Sequence, residues 1–426
     1  MNLKKAFSFL LIVLVFFGCF IPGKSLKTAE KKFNSNDAPV IRAKFFVYHV
    51  DEKTTEIFFR ISTSSLLYMR QNSNDNFVSN IKLNYKLSDK IVSKVVSDSA
   101  SFLIHDTVID KKGDFIEGKF SVNCLYGKNN EVEIMLTDIN RKSSFPFFVS
   151  IQKEKKSQRQ NFFVAKASAP SSPLYNYNCN VGDLLNIHFD KDSSLERIQV
   201  RFYKREFGLP LPPFATQEQK AFDYKADSVF TIYLDKNFNS KLPIISNGFY
   251  HLVTDTQSTI GLTVFCNNDY FPQNNVPNLM YKPMRYVTTK QEFAEIENSK
   301  ILKDAIDSYW LKCSGSKERA RQVIKVFYNR TYLSNEYFSS YDMGWKTDRG
   351  LIYIVFGSPT NIYKDNVSEV WVYGEDNSVR SLNFTFTKVI NPFSDNDYSL
   401  NRSEAYKDSW YRVVEGWRQG RLINEK

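Results

Sequence analysis

The spacing of apolar residues changes near residue 285, and this change divides the chain into two kinds of structure. Up to about residue 272, short segments with alternating or briefly continuous apolar residues follow one another between turn residues. Phe, Tyr, Val, Ile and Thr are frequent there, which favours strands. Beyond residue 285 the apolar residues recur at helical spacing. The sequence therefore predicts a β-rich part followed by a part that contains helices.

Two sets of short strands are predicted, and the charged segment 152–160 separates them. Strands at this density are typical of β-sandwiches, so we predict two all-β, immunoglobulin-like modules at 39–153 and 160–272. The Pro-rich segment 207–215 is predicted to be a loop, because proline cannot donate a ladder hydrogen bond. The predicted strands lie at 39–50, 55–69, 76–88, 115–126, 131–139 and 146–152, and then at 161–167, 173–189, 195–207, 228–235, 248–256 and 260–268.

A helical hairpin is predicted at 285–338. One helix is expected over 288–313, where Thr288 and Gln291 have the spacing of a capping box. The next helix is expected to begin after Ser316 as its N-cap.

Residues 339–426 are predicted to form a small α+β domain. Strands are expected at 350–357, 368–374 and 381–387, and a closing helix is expected after Ser403 as N-cap. The predicted fold class is therefore multidomain: two β-sandwich modules, a helical hairpin and a small α+β domain.

The N-terminus has the pattern of an export signal. Lys4 and Lys5 precede a continuous apolar stretch, so residues 1–25 are predicted to be a signal peptide. Cys19 follows Gly18, which resembles a bacterial lipoprotein processing site where the cysteine is lipidated. Ordinary cleavage after Ser25 is the alternative and would remove that cysteine.

No later segment reaches the roughly 18–20 apolar residues of a membrane span. We therefore expect an exported protein of the periplasm or outer membrane, anchored by lipid through a polar, flexible tether at 26–38.

Charge and cysteine content add little to this assignment. The net charge of +11 comes from scattered Lys and Arg without a nucleic-acid-binding motif, so no nucleic acid is expected as a partner. The four cysteines after Cys19 allow three pairings. Cys179 and Cys266 lie in one predicted module and could bridge its two sheets, but buried free thiols are an equal alternative.

The segment GWKTDRG, residues 344–350, is the strongest candidate for a functional loop. Trp345 is either a buried anchor or a surface that stacks on a ligand, and Arg349 suits a carboxylate or phosphate. Asp348 suits a turn hydrogen bond. A rigid turn anchored by the tryptophan is favoured over a binding loop, and a catalytic loop is disfavoured. Trp417 and Arg418 are a weaker second candidate, because Trp417 is expected in the core.

This segment resembles the signature of the GWxTD domain family. Segments 352–360, 369–375, 384–411 and 417–422 fit the family as well, so the resemblance covers about 285–423. It implies an exported bacterial protein with a β-rich N-terminal part, and it implies no reaction, cofactor or catalytic residue.

Catalytic chemistry is difficult to assemble from the remaining residues. The four histidines, His49, His105, His188 and His251, all lie in the β-rich part, so region 285–423 cannot hold a Ser-His-Asp site alone. Its carboxylates could include an acid–base pair, as glycosidases use: Asp348, Glu369, Glu375, Asp395 and Asp397. No metal-ligand or phosphate-loop spacing is present. We assign no catalytic residue, cofactor or metal.

The function favoured by the sequence is that of a binding or scaffold module for a protein partner or an envelope polymer. One alternative is a carboxylate-dependent hydrolase of glycan or peptide, and another is a structural subunit of a secretion or surface assembly. A cleft with facing carboxylates near Asp348 would favour the hydrolase. A buried Trp345 ring, with Asp348 bound to backbone amides, would favour the binding or structural roles.

Overall fold

The computed structural model describes residues 31–34, 41–89, 95–108, 113–192, 194–217, 223–365, 367–375, 378 and 381–421. The predicted signal peptide, Cys19 and most of the predicted tether lie outside these residues. Within the tether, Lys31–Asn34 form strand β1. Among the described helices, none is both long and apolar enough to span a membrane.

The first β module consists of two antiparallel sheets that enclose one core. Its strands are β2 (Ala43–His49), β3 (Thr54–Ser62), β4 (Phe77–Asp89), β5 (Val96–Val108), β6 (Phe115–Asn123), β7 (Lys128–Asp138) and β8 (Ser143–Lys153). The sheets have the orders β2-β3-β6 and β5-β4-β7-β8. Alternate residues of each sheet point inward, so Ile57, Ile81 and Val132 share one core and are fully buried.

Strand β5 was not predicted from the sequence. It pairs with β4 along almost its whole length but forms the edge of its sheet. Most of its side chains are exposed, including Phe102 at 41% and Leu103 at 56%. Its inner face is only partly buried, through residues such as Ala100 and Ile104, so its sequence lacks the clear alternation of apolar and polar residues seen in the other strands.

The second β module has the same two-sheet arrangement. Its strands are β9 (Phe163–Lys166), β10 (Asn178–Cys179), β11 (Leu184–His188), β12 (Arg197–Tyr203), β13 (Ser228–Tyr233), β14 (Asn239–Pro243), β15 (Gly248–Val253) and β16 (Leu262–Cys266). One sheet has the order β14-β11-β9 and the other β10-β16-β15-β12-β13. Their inner faces share a core that includes Ile187, Val200 and Val264.

The proposed bridge between the two sheets of this module is wrong in its geometry. Cys179 and Cys266 are opposite each other on the adjacent parallel strands β10 and β16, so both belong to one sheet. Each thiol is free and buried. The sequence could not reveal this, because β10 has only two residues and its partner follows 87 positions later (266 − 179).

Six helices follow the β modules among the described residues. They are α1 (Pro277–Met280), α2 (Lys290–Glu297), α3 (Leu302–Ser314), α4 (Lys317–Phe338), α5 (Asp348–Phe356) and α6 (Lys407–Arg418). The single helix predicted over 288–313 is therefore two helices. Its capping box is formed by Thr289 and Glu292, one residue later than expected. The predicted N-cap of α4 is confirmed, since Ser316 Oγ accepts the Arg319 N–H at 3.3 Å.

A five-stranded antiparallel sheet completes the C-terminal region. It contains β17 (Asn361–Lys364), β18 (Ser368–Tyr373), β19 (Leu382–Lys388) and β20 (Tyr398–Leu400), in the order β1-β17-β18-β19-β20. Strands β18 and β19 confirm two of the predicted strands. The sheet and helices share a core rich in aromatic residues, namely Trp310, Phe327, Trp371, Phe384, Trp410 and Trp417.

The strand predicted at 350–357 is wrong, because this segment is the helix α5. Thr347 is its N-cap, and the Oγ1 atom accepts the Gly350 N–H at 3.1 Å. Asp348 in the first turn also favours a helix start. A short apolar run has no periodicity that separates a buried strand from a helix buried on nearly all sides. Among residues 348–356 only Tyr353 is not fully buried, so the helix lies inside the core.

Two histidines are buried in equivalent settings, one in each β module. His49 Nδ1 accepts from Thr55 Oγ1 at 2.9 Å, and its Nε2–H donates to the Gln152 carbonyl at 2.8 Å. His251 is held in the same way by Thr263 Oγ1 and the Thr259 carbonyl, each at 2.9 Å. Burial lowers the pKa of both imidazoles from 6.5 to about 4. They are therefore neutral structural groups at neutral pH.

These histidines predict an acid-sensitive stability. A folded-state pKa below the unfolded value means that their contribution is complete above pH 6.5 and is lost as pH falls toward 4. The loss amounts to at most roughly 3 kcal/mol per histidine. Urea unfolding followed by circular dichroism at pH 7 and pH 4.5 should show this loss. It should be smaller in a His49→Gln, His251→Gln variant but unchanged in His105→Gln, whose side chain is exposed. An equal loss in all three proteins would contradict the assignment.

Candidate functional site

A cleft of about 700 Å³ lies between the second β module and the C-terminal region. One wall is formed by residues 205–211 and 223–224 of the β module. The opposite wall is formed by 340–342, 346–348 and residues between 389 and 399. The motif predicted as a functional loop therefore borders a cavity.

The Pro-rich segment 207–215, here called the strap, joins the two walls. It is a loop, as predicted, and its proline-rich backbone leaves carbonyl groups free to accept hydrogen bonds. Arg402 Nη2 donates to the Leu211 carbonyl at 3.1 Å, and the Ser403 N–H donates to the Pro213 carbonyl at 3.0 Å. Two aromatic pairs add to this contact, Phe207 with Tyr341 at 5.1 Å and Phe214 with Tyr411 at 5.4 Å between ring centroids.

The two glycines of the motif are required by close backbone packing. A Cβ on Gly344 would lie 1.9 Å from the Ser334 carbonyl oxygen in α4. A Cβ on Gly350 would lie 1.9 Å from the Gly344 carbonyl oxygen. Only glycine fits at either position, so the 3₁₀ turn Gly344–Lys346 packs directly against α4 and the start of α5 packs directly against the turn.

Trp345 is the anchor of this turn. Its residue is 2% exposed and lies in the core beside Tyr286, whose hydroxyl donates to the Trp345 carbonyl at 2.8 Å. The Trp345 N–H donates to Asn335 Oδ1 at 3.1 Å. The indole therefore presents no surface for stacking on a ligand.

Asp348 is fully engaged as a hydrogen-bond acceptor. Its Oδ2 accepts the Leu400 N–H at 2.7 Å and Arg402 Nη1 at 3.1 Å, and its Oδ1 pairs with Arg402 Nη2. The side chain of Arg402 thus joins the motif to the strap. Asp348 is 5% exposed at the edge of the cleft.

Arg349 lies at the centre of a buried polar network. Its Nη1 contacts both carboxylate oxygens of Glu369 in β18, at 3.2 and 3.4 Å. Its Nη2 donates to the Asn396 carbonyl at 2.9 Å, and the guanidinium lies 4.1 Å from the centroid of the Tyr398 ring. Burial alone would raise the pKa of Glu369, but Arg349 and Lys364 outweigh it and hold this pKa at about 2. The network is therefore charged at every physiological pH.

The structure places all three predicted binding residues in the interior. Trp345, Asp348 and Arg349 are each at most 5% exposed, and of the three it is Asp348 that borders the cleft. The weaker candidates are structural too. Trp417 Nε1 donates to the Val355 carbonyl at 2.9 Å in the core, and Arg418 forms a two-fold contact with the Glu292 carboxylate.

Two carboxyl groups that line the cleft carry perturbed pKa values. Burial raises the pKa of Asp342 from 3.8 to about 6, although Lys346 opposes the shift from 3.9 Å. Burial also raises the pKa of Asp397 to about 6, against Arg349 and hydrogen bonds from Tyr341 and Asn391. Both groups titrate near neutral pH, as binding or catalytic carboxyls often do.

The sequence identified the cleft only in part. Asp397 was among the candidate carboxylates, but Asp342 and Lys346 were overlooked beside the motif. Their spacing of four residues was the available signal. Arg402 and the strap could not be linked to the motif, because 191 residues separate Leu211 from Arg402. Among the described residues, no group of three or more His, Cys, Asp or Glu side chains could hold a metal ion.

The packing of the motif predicts a large cost for the smallest possible substitution. Gly344→Ala should lower the free energy of unfolding by about 2–4 kcal/mol, because the new methyl group must displace the backbone of α4. Gly113→Ala is the control, since the nearest atom to its Cβ would be 3.9 Å away. Urea unfolding should separate the two variants. Equal stabilities would show that the close approach at Gly344 is not maintained in solution.

The chain was compared with solved structures and with curated proteins. Red sea bream transglutaminase matches with a TM-score of 0.20 and 8% identity, over 54% of this chain and 32% of that chain. The match thus spans about a third of that structure, and a likeness this weak says nothing about fold or activity here. Among curated proteins, none matches this chain.

The family comparison concerns the region that contains the motif. A family model described as the GWxTD domain matches residues 248–419, which begins 37 residues before the predicted limit of 285. The additional segment contains β15 and β16. Its Phe249 ring packs 4.9 Å from Phe393 beside the cleft, so these strands are joined to the C-terminal region by a common core. Residues 248–419 of this chain are therefore a GWxTD domain, as the resemblance of its motif predicted.

Proposed function

We propose that the chain is an exported bacterial envelope protein that binds a protein partner or an envelope polymer in the cleft. In this proposal Cys19 is lipidated and holds the protein at a membrane of the periplasm or outer membrane. The β modules act as a spacer and as further surfaces for interaction with a partner. No reaction is required of it.

The observation that carries the proposal is the way in which the motif holds one wall of the cleft. Gly344 and Gly350 fix the backbone, Trp345 anchors the turn, and Asp348 binds Arg402, which in turn holds the strap. The side chains of Trp345 and Asp348 are thus used for shape. A rigid wall of this kind lowers the entropic cost of binding, because it does not have to be ordered by the ligand.

The lining of the cleft suits an extended polar chain. Its volume of about 700 Å³ lies within the usual range for ligand sites, roughly 300–1,000 Å³. Tyr224 and Leu209 are exposed at 50% and 37% on one wall, and Asp342, Lys346 and Asp397 supply charges on the other. Aromatic and aliphatic surface with a few fixed polar groups is the composition expected of a recognition site.

We also propose the finer organisation of the chain. The module at 39–153 is assigned as an immunoglobulin-like sandwich because it pairs three- and four-stranded antiparallel sheets. The module at 160–272 is assigned likewise because it pairs a three-stranded sheet with a five-stranded sheet, in which β10 and β16 alone are parallel. Residues 285–338 are assigned as a helical hairpin, since α3 and α4 are in contact and only two residues join them. Residues 339–426 complete the α+β part.

Binding in the cleft predicts that exposed residues of its strap-side wall control the capture of a partner. A Leu209→Ala, Tyr224→Ala variant should lose at least roughly tenfold in affinity, since hot-spot aromatic and aliphatic contacts each contribute more than about 1 kcal/mol. The partner is captured from envelope extract with the wild-type protein and identified by mass spectrometry. Its affinity for each purified variant is then measured by calorimetry.

Matched control substitutions are available on the same module. Leu184 is 37% exposed on β11 and Tyr233 is 70% exposed on β13, both outside the cleft. A Leu184→Ala, Tyr233→Ala variant should bind as the wild type does. If both double variants bind equally well, the contact surface is elsewhere. Motif residues are left intact, because changing Trp345 or Arg349 would test folding instead.

A carboxylate-dependent hydrolase of glycan or peptide is the second candidate. The binding role is favoured by the buried Trp345 and by Asp348 on the Leu400 amide. The hydrolase is favoured by Asp342 and Asp397 in the cleft, because a carboxyl group with a pKa of about 6 can donate a proton near neutral pH.

The hydrolase predicts an activity that depends on protonated Asp397. Release of dye from labelled peptidoglycan or casein should fall as pH rises above about 6. Asp397→Asn should reduce the rate by roughly a hundredfold or more. Asp395→Asn is the control, because Asp395 is 43% exposed and pairs with Arg159. An Asp397→Asn variant as active as the control would exclude this candidate.

A further inference from the structure

One end of the C-terminal sheet exposes three large apolar side chains, two of which lie outside the cleft. Ile390 is 94% exposed, the highest value for a large apolar residue in the described part of the chain. Val367 is 63% exposed and Val389 is 37% exposed. These three residues are here called the sheet tip. Single exposed apolar residues are ordinary, but three together on one projection are not.

The sheet tip is a compact structure and not a set of unrelated loops. The Lys388 N–H donates to the Val367 carbonyl at 2.7 Å, which joins the turn after β17 to the end of β19. The Val389 N–H donates to the Asp397 carbonyl at 2.9 Å. Asp365 Oδ1 accepts the Val367 and Ser368 N–H groups at 2.8 and 2.6 Å, so the turn is internally fixed. The apolar side chains are thus held outward on a rigid support.

The chain enters the sheet at this same end. Strand β1 is antiparallel to β17, and the register pairs Lys31 with Lys364, directly before the turn that carries Val367. Only 12 positions separate Cys19 from Lys31 (31 − 19). A chain of that length reaches at most roughly 40 Å when fully extended. A lipid on Cys19 would therefore keep the sheet tip close to the bilayer.

Charge around the sheet tip also fits a bilayer. Lys364 is 44% exposed beside the turn, where it pairs with Glu369 at 2.7 Å, and Lys388 is the last residue of β19, immediately before Val389. Asp365 is the acidic residue in the turn, and its carboxylate is bound to backbone N–H groups. Basic residues around apolar side chains are the combination that binds surfaces of anionic lipid.

We propose that the sheet tip inserts Val367 and Ile390 into the surface of a phospholipid bilayer and so orients the anchored protein. The inference rests on the lipid anchor of the proposed function. Val389 lines the cleft as well as the sheet tip, so this orientation places the cleft next to the membrane. The ligand would then be met at the bilayer surface.

Flotation with lipid vesicles tests the sheet tip without the lipid anchor. The mature chain with Cys19→Ser is mixed with vesicles of phosphatidylethanolamine that contain phosphatidylglycerol. We expect this protein to float with the vesicles, and Val367→Asp, Ile390→Asp to reduce the bound fraction roughly tenfold. Ile245→Asp is the control, because Ile245 is 77% exposed on the second β module. Thermal melting should be unchanged in all variants, since each residue is exposed.

Three results would overturn the inference. The first is no flotation of the Cys19→Ser protein, and the second is equal flotation of the sheet-tip and control variants. The third is a change of sedimentation coefficient in the sheet-tip variant with no change in flotation, which would assign the surface to a second copy of the chain. Fractionation of cells distinguishes failure of the sheet-tip inference from failure of the proposed lipid anchor. Wild-type protein found only in the soluble fraction would contradict the proposed lipid anchor itself.

Discussion

The C-terminal region depends on the burial of one guanidinium group, that of Arg349. It is 3% exposed and contacts β18 through Glu369, the loop before β20 through Asn396, and β20 itself through the Tyr398 ring. Burying a charge is unfavourable unless the partner geometry is good, and removing one member of such a pair costs about 3–5 kcal/mol. One side chain thus links α5 to three separate segments, and Asp348 adds a second link from α5 to β20 through the Leu400 N–H.

The carboxyl groups in and beside the cleft are of two kinds, one that stabilises the fold and one that is available to a ligand. Glu369 faces Arg349 and Lys364 and is ionised throughout the physiological range. Asp342 and Asp397 are also largely buried, but the nearest opposing charges do not outweigh the loss of hydration. The first kind of carboxyl stabilises the fold. The second kind is poised to respond to a ligand, since a cation brought into the cleft would favour its ionised form.

The sequence predicted the features that depend on local pattern. The alternating apolar residues of most strands and the N-cap at Ser316 are both visible in short segments. The sequence did not predict features that depend on tertiary packing. The run 351–356 is apolar at every position but one and is rich in β-branched residues, yet it forms α5, because Thr347 and Asp348 start a helix that the core then surrounds. Strand β5 was missed for the opposite reason, since its exposed side chains carry no pattern.

The cleft was also beyond local pattern, because its two walls lie far apart in the sequence. Trp345, Asp348 and Arg349 are candidates for binding because their side chains form aromatic, hydrogen-bonding and charged contacts. The same contacts can be made inside the protein, and here they hold a buried turn. The buried Gly344 brings the turn against α4, and Gly350 brings the start of α5 against the turn, so that Trp345 has no free surface. We therefore expect a ligand to contact the strap, which Arg402 joins to the motif, together with Lys346 of the motif and the nearby Asp342.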